Sequence, residues 1–302
     1  MTTRGWTWRA TLAGLLLAVA FCPAPAPAAA AEKARPLRFA PLPMEAPETV
    51  ITQVRPMLAY LEQRLGVDIE IVYSTDYGEL LDRFRAGQVD LAYLGPLPYM
   101  TLRDGFAAAE PLVRFREASG SAAYTCALVA WGDALPDLAR LNGATLALPQ
   151  PLSTCGYLST SALLRAAGSD IAATRWRYLG AHDLVALAVI RGEAEVGGLK
   201  TAIARKYAHL GLRILAETEP LPSFALIANR DTVAAAQRDG LVAALTALDP
   251  AGSDKDRMAQ WGVNFRYGAE PAADGDYDAL RAMGGWHDIP TGPGPIIPEG
   301  RR

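Results

Sequence analysis

"LGVDIEIVYSTDYGELLDRFRAGQVDLAYLGPLPY", residues 65–99, reads as strand, helix and strand in one pass. "IEIVY" (69–73) is apolar and β-branched, as a buried strand is. "YGELLDRFRAG" (77–87) brings apolar side chains back at helical spacing and stops at Gly87, and "VDLAYLG" (89–95) is another short apolar run. Upstream, "LRFAP" (37–41) is a strand. Val50, Ile51, Val54, Met57, Leu58, Leu61 and Leu65 then recur with helical period up to Gly66, with Pro56 a candidate kink. The order is β-α-β-α-β, the pattern of an α/β fold with parallel strands.

The same order returns downstream. "TLALP" (145–149) is a strand, "YLSTSALLRAAG" (157–168) a helix, "WRYLG" (176–180) a strand, "DLVALAVIRGE" (183–193) a helix and "AEVGG" (194–198) a strand. In open α/β sheets ligands bind beyond the carboxyl ends of the strands. The first unit sets "PLPMEAPE", "STDYGEL" and "YLGPLPY" there; the second sets "PQPLSTCGY", "LGAHDLV" and "VGGLKT". Two sheets facing each other bring these six loops to one cleft. "REASGSAAYTCALVAWG" (116–132) reads as the connection into the second unit and "AETEPLPSFALIANRD" (216–231) as the return, so the chain crosses between the halves twice. Helices follow at "TVAAAQRDGLVAALTAL" (232–248) and "DYDALRAM" (276–283). The closing "GGWHDIPTGPGPIIPEGRR" (284–302), dense in Gly and Pro, reads as an extended tail.

At 302 residues, 51% hydrophobic and 20% charged, the composition is that of an ordinary globular protein. The formal net charge is −3 and no window gathers Lys and Arg with interleaved aromatics, which argues against a nucleic-acid groove. "MTTRGWTWR", "ATLAGLLLAVAF" and "PAPAPAAAAEK" follow the charged, apolar, small-residue order of a secretory signal peptide, expected to occupy residues 1–31. Its removal takes Arg4 and Arg9 from the 29 basic residues, leaving 27 against 32 acidic ones and a net charge of −5. Phe21 precedes Cys22 where a lipidation signal wants a small residue, so a lipid anchor is not expected. No later apolar run reaches the length of a membrane span, so the secreted chain is expected to be soluble.

"PQPLSTCGYLST" (149–160), at the junction of a strand and a helix, admits several chemistries. A helix N-terminus exposes unpaired N–H groups and a partial positive charge. Ser153, Thr154, Cys155 and Gly156 can therefore hold a tetrahedral oxyanion without any Lys or Arg, or Ser153 and Thr154 can serve only as helix caps. A thiol at such a place has a lowered pKa, so Cys155 with His182 is also the nucleophile and base of a thiol hydrolase. No third group is spaced to orient the histidine, and no enzyme is expected. The three histidines, His182, His209 and His287, include no pair four residues apart; neither a metal site nor a cofactor is expected. Cys126 and Cys155 in an oxidising compartment either form a disulfide or stay free as soft ligands.

"LRFAPLPMEAPE", residues 65–99, "STCGYL", "YLGAHDLVALAVIRGEAEVGG" and "FRYGAEPAADGDYDALRAM", taken in order over residues 36–282, resemble the periplasmic substrate-binding proteins of phosphate, phosphite and phosphonate ABC transporters, the PhnD-like family. The resemblance implies a two-lobed type II periplasmic binding protein: lobe 1 from 36–121 plus 224–285, lobe 2 from 122–223, and a tail over 286–302. It implies a monomer that closes like a clamshell on a small phosphorus oxyanion in the periplasm and delivers it to a membrane permease. The alternative is a sensor of another oxyanion, such as arsenite held through Cys155 and Cys126, that presents its closed state to a histidine kinase.

The resemblance also assigns roles beside Ser153, Thr154, Cys155 and Gly156. Tyr77 stands at a ligand-contact position and His182 at another. Tyr93 is a ligand contact or a buried strand tyrosine. Glu195 stands where the family often has an aspartate serving a ligand amine or hydroxyl, and its longer side chain puts that role in doubt. Glu45 reads as an exposed loop acid. Cys155 departs from the Ser-Thr-Ser-Gly usual in the family and replaces a good hydroxyl donor with a weak S–H.

Overall fold

The computed structural model describes residues 1–3, 5, 6, 35–282, 284–292 and 294. The expected signal peptide and Cys22 fall outside the described residues, apart from a few at the very start. From residue 35 the chain is one unit. Among the described residues no helix is long and apolar enough to cross a membrane.

The first repeat folds as β1 (Leu37–Pro41), α1 (Pro47–Leu65), β2 (Ile69–Ile71), α2 (Tyr77–Arg85), β3 (Leu91–Leu94), α3 (Pro96–Gly105) and β4 (Ala109–Phe115). The crossover and second repeat follow as β5 (Ala123–Tyr124), β6 (Cys126–Trp131), β7 (Thr145–Leu148), α4 (Ser159–Ala166), β8 (Arg175–Tyr178), α5 (His182–Ile190), β9 (Val196–Lys200), α6 (Thr201–Lys206) and β10 (Leu212–Glu217). The return comprises β11 (Leu221–Pro222), β12 (Ala225–Asn229), α7 (Ala235–Thr246), α8 (Lys255–Ala259), β13 (Ala269–Pro271) and α9 (Asp278–Ala282).

Two sheets carry the lobes. The first has order β13-β4-β12-β3-β1-β2, the second β10-β6-β9-β7-β8. β1 is parallel to β2 and β3, in register Leu37 to Ile69 and Phe39 to Leu91; β7 is parallel to β8 and β9, with Leu146 opposite Val196. Each parallel triplet is flanked by a strand from a crossover, β12 antiparallel to β3 and β6 antiparallel to β9. The two crossovers themselves pair as a short ribbon, β5 against β11. The described part of the tail has no helix or strand; the Tyr178 hydroxyl donates to Pro290 O at 2.7 Å.

Burial follows the pleat. In the second sheet Ala127 and Val129 pack under α5 and α6, while Leu128, Leu146 and Leu148 pack on the opposite face against Leu164 of α4, the period of two that puts neighbouring side chains on opposite faces. Helix α1 passes through Pro56 and ends at Gly66, whose φ of 66° is the left-handed geometry glycine takes at no steric cost. At the amino end of β3, Asp90 accepts from Arg35 and Arg38, with Arg38 Nε at 2.9 Å. Burial pushes its carboxyl up, and the two guanidiniums more than reverse this and hold it well below the usual range. The first lobe's apolar cluster reaches Cys126, Cys155 and Leu158 of the second lobe, so the lobes meet across the cleft.

Candidate functional site

Strand order 2-1-3 in each triplet makes a switch point at the carboxyl ends of β1 and β3 and of β7 and β9, where loops leave in opposite directions. Leu42, Tyr77, Gly95 and Pro98 come from the loops of the first sheet, and Ser153, Thr154, Cys155 and His182 from those of the second. Tyr124 and Phe224 come from the two crossovers. Together they enclose a cavity of ≈10 Å³, about the space of one water.

The His182 ring is buried. Its Nδ1 accepts the backbone N–H of Lys200 at 3.1 Å, which leaves the ring proton on Nε2, 3.3 Å from Ser153 Oγ. Burial, helped by the Lys200 charge, lowers its pKa to about 3. Near neutral pH His182 is therefore an uncharged donor. Thr154 Oγ1 accepts from Leu97 N at 3.0 Å, and the hydroxyl proton is left to donate. Burial raises the pKa of the phenols of Tyr77 and Tyr124, so both stay protonated donors. The Tyr124 hydroxyl lies beside the Thr154 side chain, yet it is buried without a well-formed hydrogen bond.

The turn after β7 differs from a plain helix start. Thr154–Leu158 forms one wide π-type turn with Gly156 at ψ −123°, and α4 begins only at Ser159. Ser153 N–H donates to Gln150 O at 3.0 Å and Gly156 N–H to Ser153 O at 2.9 Å. Two of the N–H groups expected to face an anion are thus used within the turn. Gly156 is in the turn but does not line the cavity. A Cβ on Gly198 of β9 would fall 3.1 Å from Cys155 O and far closer to Thr160 Oγ1, so only glycine there lets the turn lie against the sheet.

Other expectations need correction. Cys126 and Cys155 form a disulfide, with Cα atoms 5.0 Å apart. Neither sulfur has a thiolate to offer, which removes both the soft-ligand reading of the pair and the thiol-hydrolase pairing of Cys155 with His182. Tyr93 lies in an aromatic cluster, 5.2 Å from the Phe224 ring centroid and 4.7 Å from that of Phe265. There it backs Phe224 and borders a neighbouring cavity with Glu45 and Asn264. Glu195 is exposed and precedes β9, its Oε1 accepting from Thr145 N. That is the amino end of the sheet, about 15 Å of strand from the cleft. The residue at the carboxyl end is Lys200. Glu45 is buried rather than exposed and pairs with Lys206.

Tyr124, Gln150 and Lys200 were not singled out from the sequence, although Gln150 and Lys200 stand in stretches placed at the cleft and Tyr124 in the first crossover. The signals present were a lone aromatic in a Gly-, Ser- and Ala-rich crossover, a polar residue two positions past the end of β7, and the lysine of "VGGLKT". Lys200 lies one ring behind the small cavity. Its Nζ is 4.8 Å from the Phe224 centroid and 5.3 Å from that of Tyr124, and it pairs with Glu117 at 2.7 Å. Beside it a second chamber of ≈250 Å³ has Glu45, Gln53, His182, Lys200, Lys206 and Asn264 in its walls.

Three helix N-termini reach across the cleft. Tyr77 N of α2 donates to Gln150 Oε1 at 2.9 Å, Leu97 N of α3 to Thr154 Oγ1, and His182 N of α5 to Met44 O at 3.0 Å. Each lobe offers backbone donors that the other lobe accepts.

Residues 39–277 match the sequence pattern of the family described as ABC transporter, phosphonate, periplasmic substrate-binding protein. The phosphate-import protein PhnD of Mycolicibacterium smegmatis is 28% identical over 172 residues, 53% of this chain and 54% of that protein. The phosphonates-binding periplasmic protein of Escherichia coli is 29% identical over 176 residues, 56% of this chain and 52% of that one. The chain thus spans about half the length of these relatives. Among solved structures, PhnD1 from Prochlorococcus marinus in complex with methylphosphonate superposes with a TM-score of 0.73 at 15% identity over 84% of this chain and 98% of the other, which is a likeness of fold. With a match that runs from β1 to the last residues before α9, the chain belongs to the phosphonate ABC transporter periplasmic substrate-binding protein family.

Proposed function

We propose that the protein binds a small phosphorus oxyanion, a phosphonate, phosphite or phosphate, between its lobes in the periplasm and, as a monomer, delivers it to an ABC permease. The observation that carries this reading is the donor set around the small cavity, which holds about one water and must widen to admit a tetrahedral anion. Ser153, Thr154, Tyr77, Tyr124 and neutral His182 converge on it, and among the described residues no carboxylate lines it. Hydroxyl and N–H donors satisfy an oxyanion's lone pairs, whereas a carboxylate would repel it. The ligand favours closure to the extent that it binds the closed form better than the open one.

Calorimetric titration with methylphosphonate, phosphite and phosphate, with arsenite as comparison, tests the reading. At least one phosphorus anion should bind, and arsenite should not. Replacing Ser153→Ala together with Thr154→Ala should weaken that binding by roughly 3 kcal/mol or more, since a hydrogen bond to a charged group is worth roughly 1.5–3 kcal/mol. Unchanged affinity in the double variant would move the site elsewhere.

A further inference from the structure

Gln150 has no place in the donor set, yet its side chain is buried and every polar atom of its amide is engaged. Oε1 accepts from Tyr77 N at 2.9 Å. Nε2 donates to Gly180 O at 2.6 Å and to Pro43 O at 3.4 Å. Facing one N–H and two C=O groups, the amide can satisfy all three in only one orientation. The three partners belong to three loops at the cleft. Tyr77 opens α2 and carries a cavity phenol. Gly180 lies two residues before His182. Pro43 follows Leu42, which lines the cavity.

Two of those loops are in the first lobe, and the third, like Gln150, is in the second. Gln150 O also accepts from Ser153 N, tying the glutamine to the turn that carries Ser153 and Thr154. One residue thereby joins four of the segments that deliver donors or walls to the cavity. Its bonds to Tyr77 and Pro43 exist only while the lobes are together. The alternative acceptor for Tyr77 N, once the lobes part, is water, so the glutamine contributes to closure without touching the anion.

We propose that Gln150 is the positioning residue of the cleft, holding the Tyr77 phenol and the His182 imidazole in the geometry that receives the anion by bonding their loops across the two lobes. This rests on the oxyanion reading above for the identity of the ligand, but not for the effect on closure.

Small-angle scattering of the ligand-free protein and calorimetry with methylphosphonate, phosphite and phosphate are run on wild type, Gln150→Met, Gln150→Ala and Gln150→Glu. Methionine keeps the volume and loses the bonds. Glutamate keeps an acceptor for Tyr77 N but sets charge against Gly180 O and Pro43 O. Affinity should fall by about 10- to 100-fold in Q150M and Q150A, the equivalent of two lost buried hydrogen bonds, and further in Q150E. Ligand-free Q150M should have a larger radius of gyration than wild type.

A role in folding alone would lower the melting temperature and leave radius and affinity as they are. The route through Tyr77 is read by repeating Q150M in a Tyr77→Phe background. The part of the loss due to the interlobe bonds persists there, because Gln150 meets backbone N–H and C=O groups, and the part due to positioning the phenol disappears, so the loss should be smaller but not abolished. Equal radii with affinities within twofold, or an undiminished loss in the Tyr77→Phe background, would overturn the proposal. Should wild type bind none of the three anions, the oxyanion reading fails while the radii still judge Gln150.

Discussion

His182 shows how one backbone contact can set the chemistry of a side chain. The Lys200 N–H on Nδ1 puts the ring proton on Nε2, and burial keeps the ring neutral. This has a consequence for stability. The folded pKa is about 3, against about 6.5 for an unfolded histidine. Between these values the unfolded chain holds the extra proton, so stability rises with pH and is lost as pH falls from about 6.5 toward 3. The slope contributed by this group approaches about 1.4 kcal/mol per pH unit. Urea denaturation of wild type and His182→Gln at pH 7.5, 5.5 and 4.5 should show that the variant lacks this component; parallel curves would mean the ring is protonated in the native state. Tyr124 and Gln150 teach a related lesson. Their local signals, an aromatic in a small-residue crossover and a polar residue just past β7, are weak, because their importance comes from what distant segments place opposite them.

The turn after β7 and its disulfide define the next level. "STCGYL" at a strand-to-helix junction was readable as an anion cradle, but the π-type turn, the N–H groups used within it and the fit over Gly198 were not. The bond from Cys155 to Cys126 ties this turn to the first residue of β6. Closing a loop of 29 residues' separation restricts the unfolded chain by an amount worth about 3–4 kcal/mol. Cys126→Ser with Cys155→Ser should therefore lower the unfolding free energy by roughly that amount in chemical denaturation, and a loss below about 1 kcal/mol would mean that strain in the folded state offsets the constraint. Helix α3 is an element the sequence reading left as loop. It starts within "YLGPLPY", and Pro96 and Pro98 both stand in its first turn, where their missing N–H groups have no intrahelical partner to lose.

Across the whole molecule, the paired crossovers β5 and β11 leave a narrow connection between lobes that otherwise meet through hydrogen bonds and an apolar patch at Cys126, Cys155 and Leu158. Glu45, Gln53, Asn264, Lys200 and Lys206 form a chain of ion pairs and amide contacts from one lobe to the other. Such an arrangement is expected to separate by bending at the ribbon, with Gly120, at φ 82°, and the segment at Pro222 the places to absorb it. Addition of a bound phosphorus anion should contract the small-angle scattering profile, and an identical profile at saturating ligand would argue against a hinge. The Lys206 end of the chain is half exposed, so it adds at most about 1 kcal/mol and should weaken with salt.

Hydrophobic periodicity and the position of Gly and Pro were enough to read two β-α-β-α-β repeats, two crossovers and the loops beyond the strand ends, because those signals are local and repeat along the chain. The same locality carried the stretches holding Ser153, Thr154, Tyr77 and His182 to the cleft, and the family resemblance singled out Tyr77 and His182 within them. It misassigned Glu195, which sits at the wrong end of β9, and Glu45, whose burial depends on Lys206 of the other lobe. Whether two cysteines 29 residues apart bond, which tautomer His182 adopts, and which side chains span the cleft are set by contacts between segments far apart in sequence. Those contacts exist only once two separately wound sheets have been brought face to face, and the energy that selects them is burial and hydrogen bonding across that closure.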